Sequence, residues 1–70
     1  MAIEKVTLPV ARKIANLTQK RLASMVGVSE STVINWEKGR SEPTVSQAKA
    51  IGEATGVPYD QIIFLLSNTV

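Results

Sequence analysis

Five short helices packed round one small core are the fold this sequence predicts, and three observations predict it. Glycine and proline interrupt the chain at regular intervals, at Pro9, Gly27, Gly39, Pro43, Gly56 and Pro58, where each favours a stop or a turn. Between the interruptions, apolar residues recur three and four apart, which is the spacing of one helix face and not of a strand. The chain has 70 residues, 44% of them apolar and 20% charged, a globular balance on a length that holds a single domain over residues 1–70.

The first helix is expected to begin near Thr7 as N-cap, with Pro9 tolerated in a first turn whose amides lack helical partners, and to run to about Asn16. Leu8, Ala11, Ile14 and Ala15 are its expected core face. Thr18 caps the second helix and Gly27 stops it, because glycine accepts a left-handed backbone without a Cβ penalty. Leu22, Ala23 and Val26 form its buried stripe. Ser29 caps the third, with Glu30 a favourable charge in its first turn, and Gly39 follows its end at Lys38. Thr44 caps the fourth, whose Val45, Ala48, Ile51 and Ala54 recur before the stop at Gly56. Gly52 inside it costs up to about 1 kcal/mol relative to alanine. A fifth helix is expected over about 58–66, opened by Pro58 and favoured by Asp60 near its positive end, with a strand in place of its last turns as the lesser alternative. The first six residues carry no strong structural signal, and Ser67 to Val70 are expected to fray.

Composition narrows the chemistry. There is no cysteine and no histidine, which excludes disulfides and thiolate metal sites and removes the commonest metal ligand and general base. No catalytic residue, metal, cofactor or small-molecule substrate is therefore expected. No run approaches the roughly 18 apolar residues of a membrane span, and the N-terminus lacks a signal-peptide layout, so the expected location is the cytoplasm. The net charge of +2 conceals an asymmetry: residues 12–40 hold six cations against two carboxylates, a net of +4, whereas residues 41–70 hold one cation against three, a net of −2. A local basic segment favours a polyanionic partner, although a solvated helix face explains any single pair of lysines equally well.

The informative unit is Gln19 to Trp36. Two helices joined by a three- or four-residue turn and crossing steeply need a small side chain at the crossing, a glycine in the turn and an apolar anchor beyond it. Ala23, Gly27 and Val33 stand at those places, with Leu22, Val26, Val28 and Trp36 as further inward groups. The run Leu17-Thr18-Gln19, Leu22-Ala23, Gly27-Val28-Ser29, Val33, Trp36-Glu37-Lys38-Gly39-Arg40, Pro43 and Gly56-Val57 resembles the helix-turn-helix DNA-binding domain of phage Cro and CI-type repressors and related bacterial regulators. The resemblance covers about residues 8–64 and rests on many coupled positions. It implies a compact five-helix, lambda-repressor-like domain, with the helix-turn-helix at about 18–38 and the third helix reading the major groove of double-stranded DNA. Gly52 and Thr55 depart from the pattern, which usually has alanine and leucine there, and this puts the tightness of the fourth helix in question.

With Val33 and Trp36 inward, the opposite face presents Glu30, Ser31, Ile34, Asn35 and Lys38. Asn35 suits a two-pronged bond to adenine, Ser31 bonds several base edges, Ile34 suits a thymine methyl, and Glu30 accepts from the amino group of cytosine while repelling phosphate. A merely solvated face is the bland alternative. Gln19, Lys20, Lys38, Arg40 and Ser41 are the expected phosphate contacts; the resemblance implies that Gln19 also braces the reader helix. Arg12 and Glu37 match a pair that forms a partly buried salt bridge in related repressors. Ile62 to Leu66 cannot all face one core, so Ile63, Phe64 and Leu66 are the expected contacts of a homodimer.

The reading that follows is a sequence-specific transcriptional regulator, a Cro or CI-type repressor binding a near-palindromic operator as a dimer. A restriction-modification controller or an antitoxin regulator belongs to the same class. A different class is a helical protein-interaction module that keeps the fold without binding DNA; Glu30 and the oily C-terminal segment are its hints. An enzyme is remote, since no paired carboxylates or phosphate-cradling glycine loop are present.

Overall fold

A computed structural model describes residues 5–64. Their elements run in the order β1 (Val6–Thr7), α1 (Leu8–Ile14), α2 (Gln19–Val26), α3 (Glu30–Glu37), α4 (Val45–Thr55), a 3-10 turn (Tyr59–Gln61) and β2 (Ile62–Ile63). None of these helices is long and apolar enough to cross a membrane.

Local chemistry explains where the helices begin and end. Thr18, Ser29 and Thr44 each accept, through the side-chain oxygen, the amide proton three residues on, which satisfies one of the orphan donors of a first turn. Thr44 and Gln47 do so reciprocally as a capping box. Gly27 and Gly56 close α2 and α4 with φ of 89° and 77°, in the left-handed region that costs a residue with a Cβ. Asn16 makes the equivalent turn after α1 at φ 63°; asparagine is among the side chains that tolerate it best. Thr7 occupies the N-cap position of α1 without a side-chain cap bond.

The core is assembled from every helix. Leu8 and Ala11 of α1, Leu22 and Ala23 of α2, Val33 and Trp36 of α3, Ile51 of α4 and Ile62 of β2 form one buried cluster. Val6, Leu17, Val26, Val28, Ala54, Val57 and Phe64 pack against its margin. Two residues expected inside lie outside: Ile14 is 62% and Val45 68% exposed. At about 100° per residue, Leu8, Ala11, Arg12 and Ala15 share one side of α1 and Ile14 falls off it. Val45 sits one turn ahead of Ala48, where burial of α4 begins.

The expected fifth helix is absent over the described part of 58–66. Four α-helices are present, and the chain after Pro58 makes one 3-10 turn and then extends as β2, parallel to β1 with Val6 opposite Ile62 and Thr7 opposite Ile63. The lesser alternative, a strand, prevails because the adjacent β-branched pair Ile62 and Ile63 favours extended backbone, and β1 supplies partners for its amides and carbonyls. The fold is thus predominantly helical with a two-residue ladder, half of it built by Val6, from the stretch without a strong signal, and by Thr7, expected only as an N-cap.

The departures in α4 have local causes. Thr55 is buried, donates its hydroxyl to the Ile51 carbonyl at 2.9 Å and accepts from the Val57 amide at 3.2 Å, so the polar atom is satisfied where a leucine would only pack. At Gly52 the backbone of the following loop comes close: a Cβ there would lie 3.1 Å from both the Tyr59 amide nitrogen and the Val57 carbonyl oxygen.

Candidate nucleic-acid interface

The α2 and α3 pair is built from its turn outwards. Gly27 and Val28 both donate backbone amides to the Ala23 carbonyl, at 2.8 and 3.0 Å, and small Ala23, itself buried, lets the helices approach. Ser29 then accepts from the Thr32 amide at 3.2 Å, and its hydroxyl lies 2.9 Å from that of Thr32. This hydroxyl pair at the entrance of α3 escaped the sequence reading; its trace is a threonine three residues after a serine N-cap. Fully buried Val33 and nearly buried Trp36 seat α3 by one side.

The other side stays free. At about 100° per residue, Glu30, Ser31, Ile34, Asn35 and Lys38 fall within an arc of about 140°. Glu30, Ser31 and Lys38 are exposed, and Ile34 and Asn35 are half-buried. The five therefore share one surface, with a carboxylate at its start, a cation at its end, and hydroxyl, methyl and amide groups between them. Beyond the helix, the Gly39 amide donates to Trp36 and that of Arg40 to Asn35 (3.2 and 2.9 Å), which folds the following loop back on the end of α3. Arg40 and Ser41 are exposed, as is Lys20.

Glu37, the last residue of α3, points elsewhere. Its Oε2 takes the Arg12 Nε at 2.6 Å and its Oε1 takes the Gln19 Nε2 at 2.9 Å. Arg12 also reaches Oε1 with its Nη2 at 3.4 Å and gives its Nη1 to the Leu17 carbonyl at 2.9 Å. The Arg12 and Glu37 side chains are only 13% and 8% exposed, and theirs is the one ion pair among the described residues. Lys20, Arg21, Lys38 and Arg40 are exposed and form no ion pair among the described residues. Gln19 thus meets the expected reader helix at Glu37, a partner with no short-range signature, because the contact joins the first residue of one helix to the last of another.

Of the residues expected at a dimer contact, Ile63 on β2 is 38% exposed, Phe64 is half-buried against the core, and Leu66 lies outside the described residues.

A family model for the helix-turn-helix matches residues 10–62, from within α1 to the first residue of β2. The chain belongs to the helix-turn-helix family. It is 44% identical over 57 residues to an uncharacterized helix-turn-helix transcriptional regulator of Methanothermobacter thermautotrophicus, an alignment covering 81% of this chain and 83% of that one. A similar regulator of Methanocaldococcus jannaschii is 41% identical over 51 residues, 73% and 77% of the two chains. The helix-turn-helix transcriptional activator BcrR of Enterococcus faecalis is 33% identical over 48 residues, 69% of this chain but 24% of that protein. The matched span contains the free face of α3, the loop after it and the Gln19 and Glu37 junction. Of the residues expected at a dimer contact, Ile63, Phe64 and Leu66 all fall beyond the matched span.

Proposed function

We propose that this protein is a sequence-specific DNA-binding transcriptional regulator that lays α3 in the major groove and acts, in the manner of Cro and CI-type repressors, by occupying its operator. One observation carries the reading: α3 is fixed by Val33 and Trp36 on one side, while on the side bearing Glu30, Ser31, Ile34 and Asn35 no side chain makes a hydrogen bond or ion pair among the described residues. In this arrangement Asn35 reads adenine, Ser31 and Ile34 read neighbouring edges and methyls, and Glu30 selects cytosine and disfavours other bases. Gln19, Lys20, Lys38, Arg40 and Ser41 hold phosphates and supply affinity without sequence information. A homodimer through Ile63, Phe64 and Leu66 sets two copies of α3 about 34 Å apart, one turn of the duplex, and so calls for a near-palindromic operator. The relatives named as transcriptional regulators support the reading. The Enterococcus protein is an activator, and the same occupancy activates where the site lies beside a promoter and not across it.

The test is selection from a randomised duplex pool with the purified chain. The expected outcome is an inverted repeat with half-sites about 10 base pairs apart, bound with an affinity that falls by about a thousandfold or more between 50 and 200 mM salt if a dimer makes six phosphate contacts. No enrichment, together with no salt-sensitive binding to any duplex, overturns the reading in favour of a protein-interaction module.

A further inference from the structure

We infer that Glu37 is a positioning residue for DNA backbone binding: it holds the Gln19 side-chain amide with its nitrogen fixed, so that the second amide proton stands ready for a phosphate. The inference rests on the DNA-binding reading above but concerns a residue that, in that reading, only ties α1 to α3.

The chemistry of the junction leaves little freedom. A carboxylate only accepts hydrogen bonds, so the group 2.9 Å from Glu37 Oε1 must be the amide nitrogen of Gln19 and not its oxygen. Glu37 in turn does not wander, because Arg12 grips its other oxygen at 2.6 Å while anchoring its own Nη1 on the Leu17 carbonyl, two residues before Gln19. The loop of contacts therefore closes on itself, from α1 through the start of α2 to the end of α3. One proton of the Gln19 nitrogen is spent on Glu37, and no hydrogen bond among the described residues engages the other. Gln19 is the first residue of α2, where the Arg21 amide is taken by the Thr18 hydroxyl. The amides of Gln19 and Lys20 have no helical partner. A phosphate that approaches the Gln19 side chain meets an amide donor, and not the amide oxygen, as long as the amide cannot turn over. Released from Glu37, the side chain is free to present its oxygen, which repels an anion.

The experiment is a double-mutant cycle on Gln19→Ala and Glu37→Gln, read as affinity for a fixed duplex at constant low salt, with each variant's folding checked by circular dichroism. The expected result is that Glu37→Gln weakens binding to any sequence by roughly threefold or more, and that Gln19→Ala then costs clearly less than it does in the natural chain. Additive losses, with the natural chain binding normally, overturn this inference and leave the DNA-binding reading standing. If the natural chain binds no duplex, both fall. Should Glu37→Gln fail to fold, relaxation of the Gln19 side-chain amide in the natural protein decides: an immobilised Nε2 group supports the inference and a freely rotating one overturns it.

Discussion

Single residues divide here into those that would recognise and those that would hold. Asn35 has an amide suited to a two-pronged bond with adenine, whereas exposed Arg40 lies in the loop beyond α3, where a phosphate is its expected partner. Asn35→Ala is expected to relax base preference at one operator position, by about 1–3 kcal/mol, and Arg40→Ala to weaken all sequences alike and flatten the salt slope by about 1. Binding-site selection and salt titrations on both variants check this; an unchanged profile for Asn35→Ala removes it from the readers. Arg12 lies at the other extreme. Arg12→Met leaves the Glu37 carboxylate, 8% exposed, with the Gln19 amide alone, and breaking a buried pair typically costs about 3–5 kcal/mol. Urea unfolding is expected to show a loss of that size, and a loss below 1 kcal/mol means the pair is effectively solvated. Residue identity at α3 was legible in the sequence because a helix face follows from spacing alone. The three-way contact of Arg12, Gln19 and Glu37 was legible only as the pair, since Gln19 enters it through the crossing of α2 and α3.

At the level of elements, the caps were the clearest part of the sequence. Thr18, Ser29 and Thr44 before the helices and Gly27 and Gly56 after α2 and α4 act within four residues of chain, so nothing distant decides them. Gly52 shows the opposite. Propensity alone predicts that Gly52→Ala gains up to about 1 kcal/mol in a helix interior. The added Cβ would instead lie 3.1 Å from two backbone atoms of residues 57 and 59, which sit in a turn stiffened by Pro58 and cannot fold away as a side chain does. The expected outcome is a lowered melting temperature for Gly52→Ala; a rise shows that the 57–59 loop yields and propensity wins. The expected helix over about 58–66 gives way to a turn and β2 for a related reason. Pro58 and Asp60 make an acceptable helix start, but Ile62 and Ile63 gain more from extended pairing with Val6 and Thr7, a partner 56 residues away that no local pattern announces.

Across the whole molecule, β1 and β2 bring the two ends of the described chain together under α1, and Ile62 links that ladder to the core. Ile62→Ala is expected to cost about 2–5 kcal/mol, the usual range for emptying a buried isoleucine site, and thermal unfolding should register it as a single cooperative transition at lower temperature. A loss under 1 kcal/mol means the ladder is an appendage. Ile63 on the same strand is exposed and belongs to the proposed dimer contact. Ile63→Asp is therefore expected to leave the monomer's unfolding little changed while shifting sedimentation at equilibrium towards the monomer and weakening operator binding. A monomeric natural chain that still binds its operator two-fold would place the contact elsewhere.

The sequence by itself determined the helical register, the caps, the short glycine turn between α2 and α3 and therefore which side of α3 stays free, because each follows from bonds and contacts within about one turn of chain. Only the tertiary structure decided that Ile62 and Ile63 form a strand, that loop backbone comes close to a glycine inside α4, and that Gln19 rests on Glu37. In these cases the groups that meet lie far apart along the chain or in different elements, and their free energy depends on an approach that spacing cannot encode.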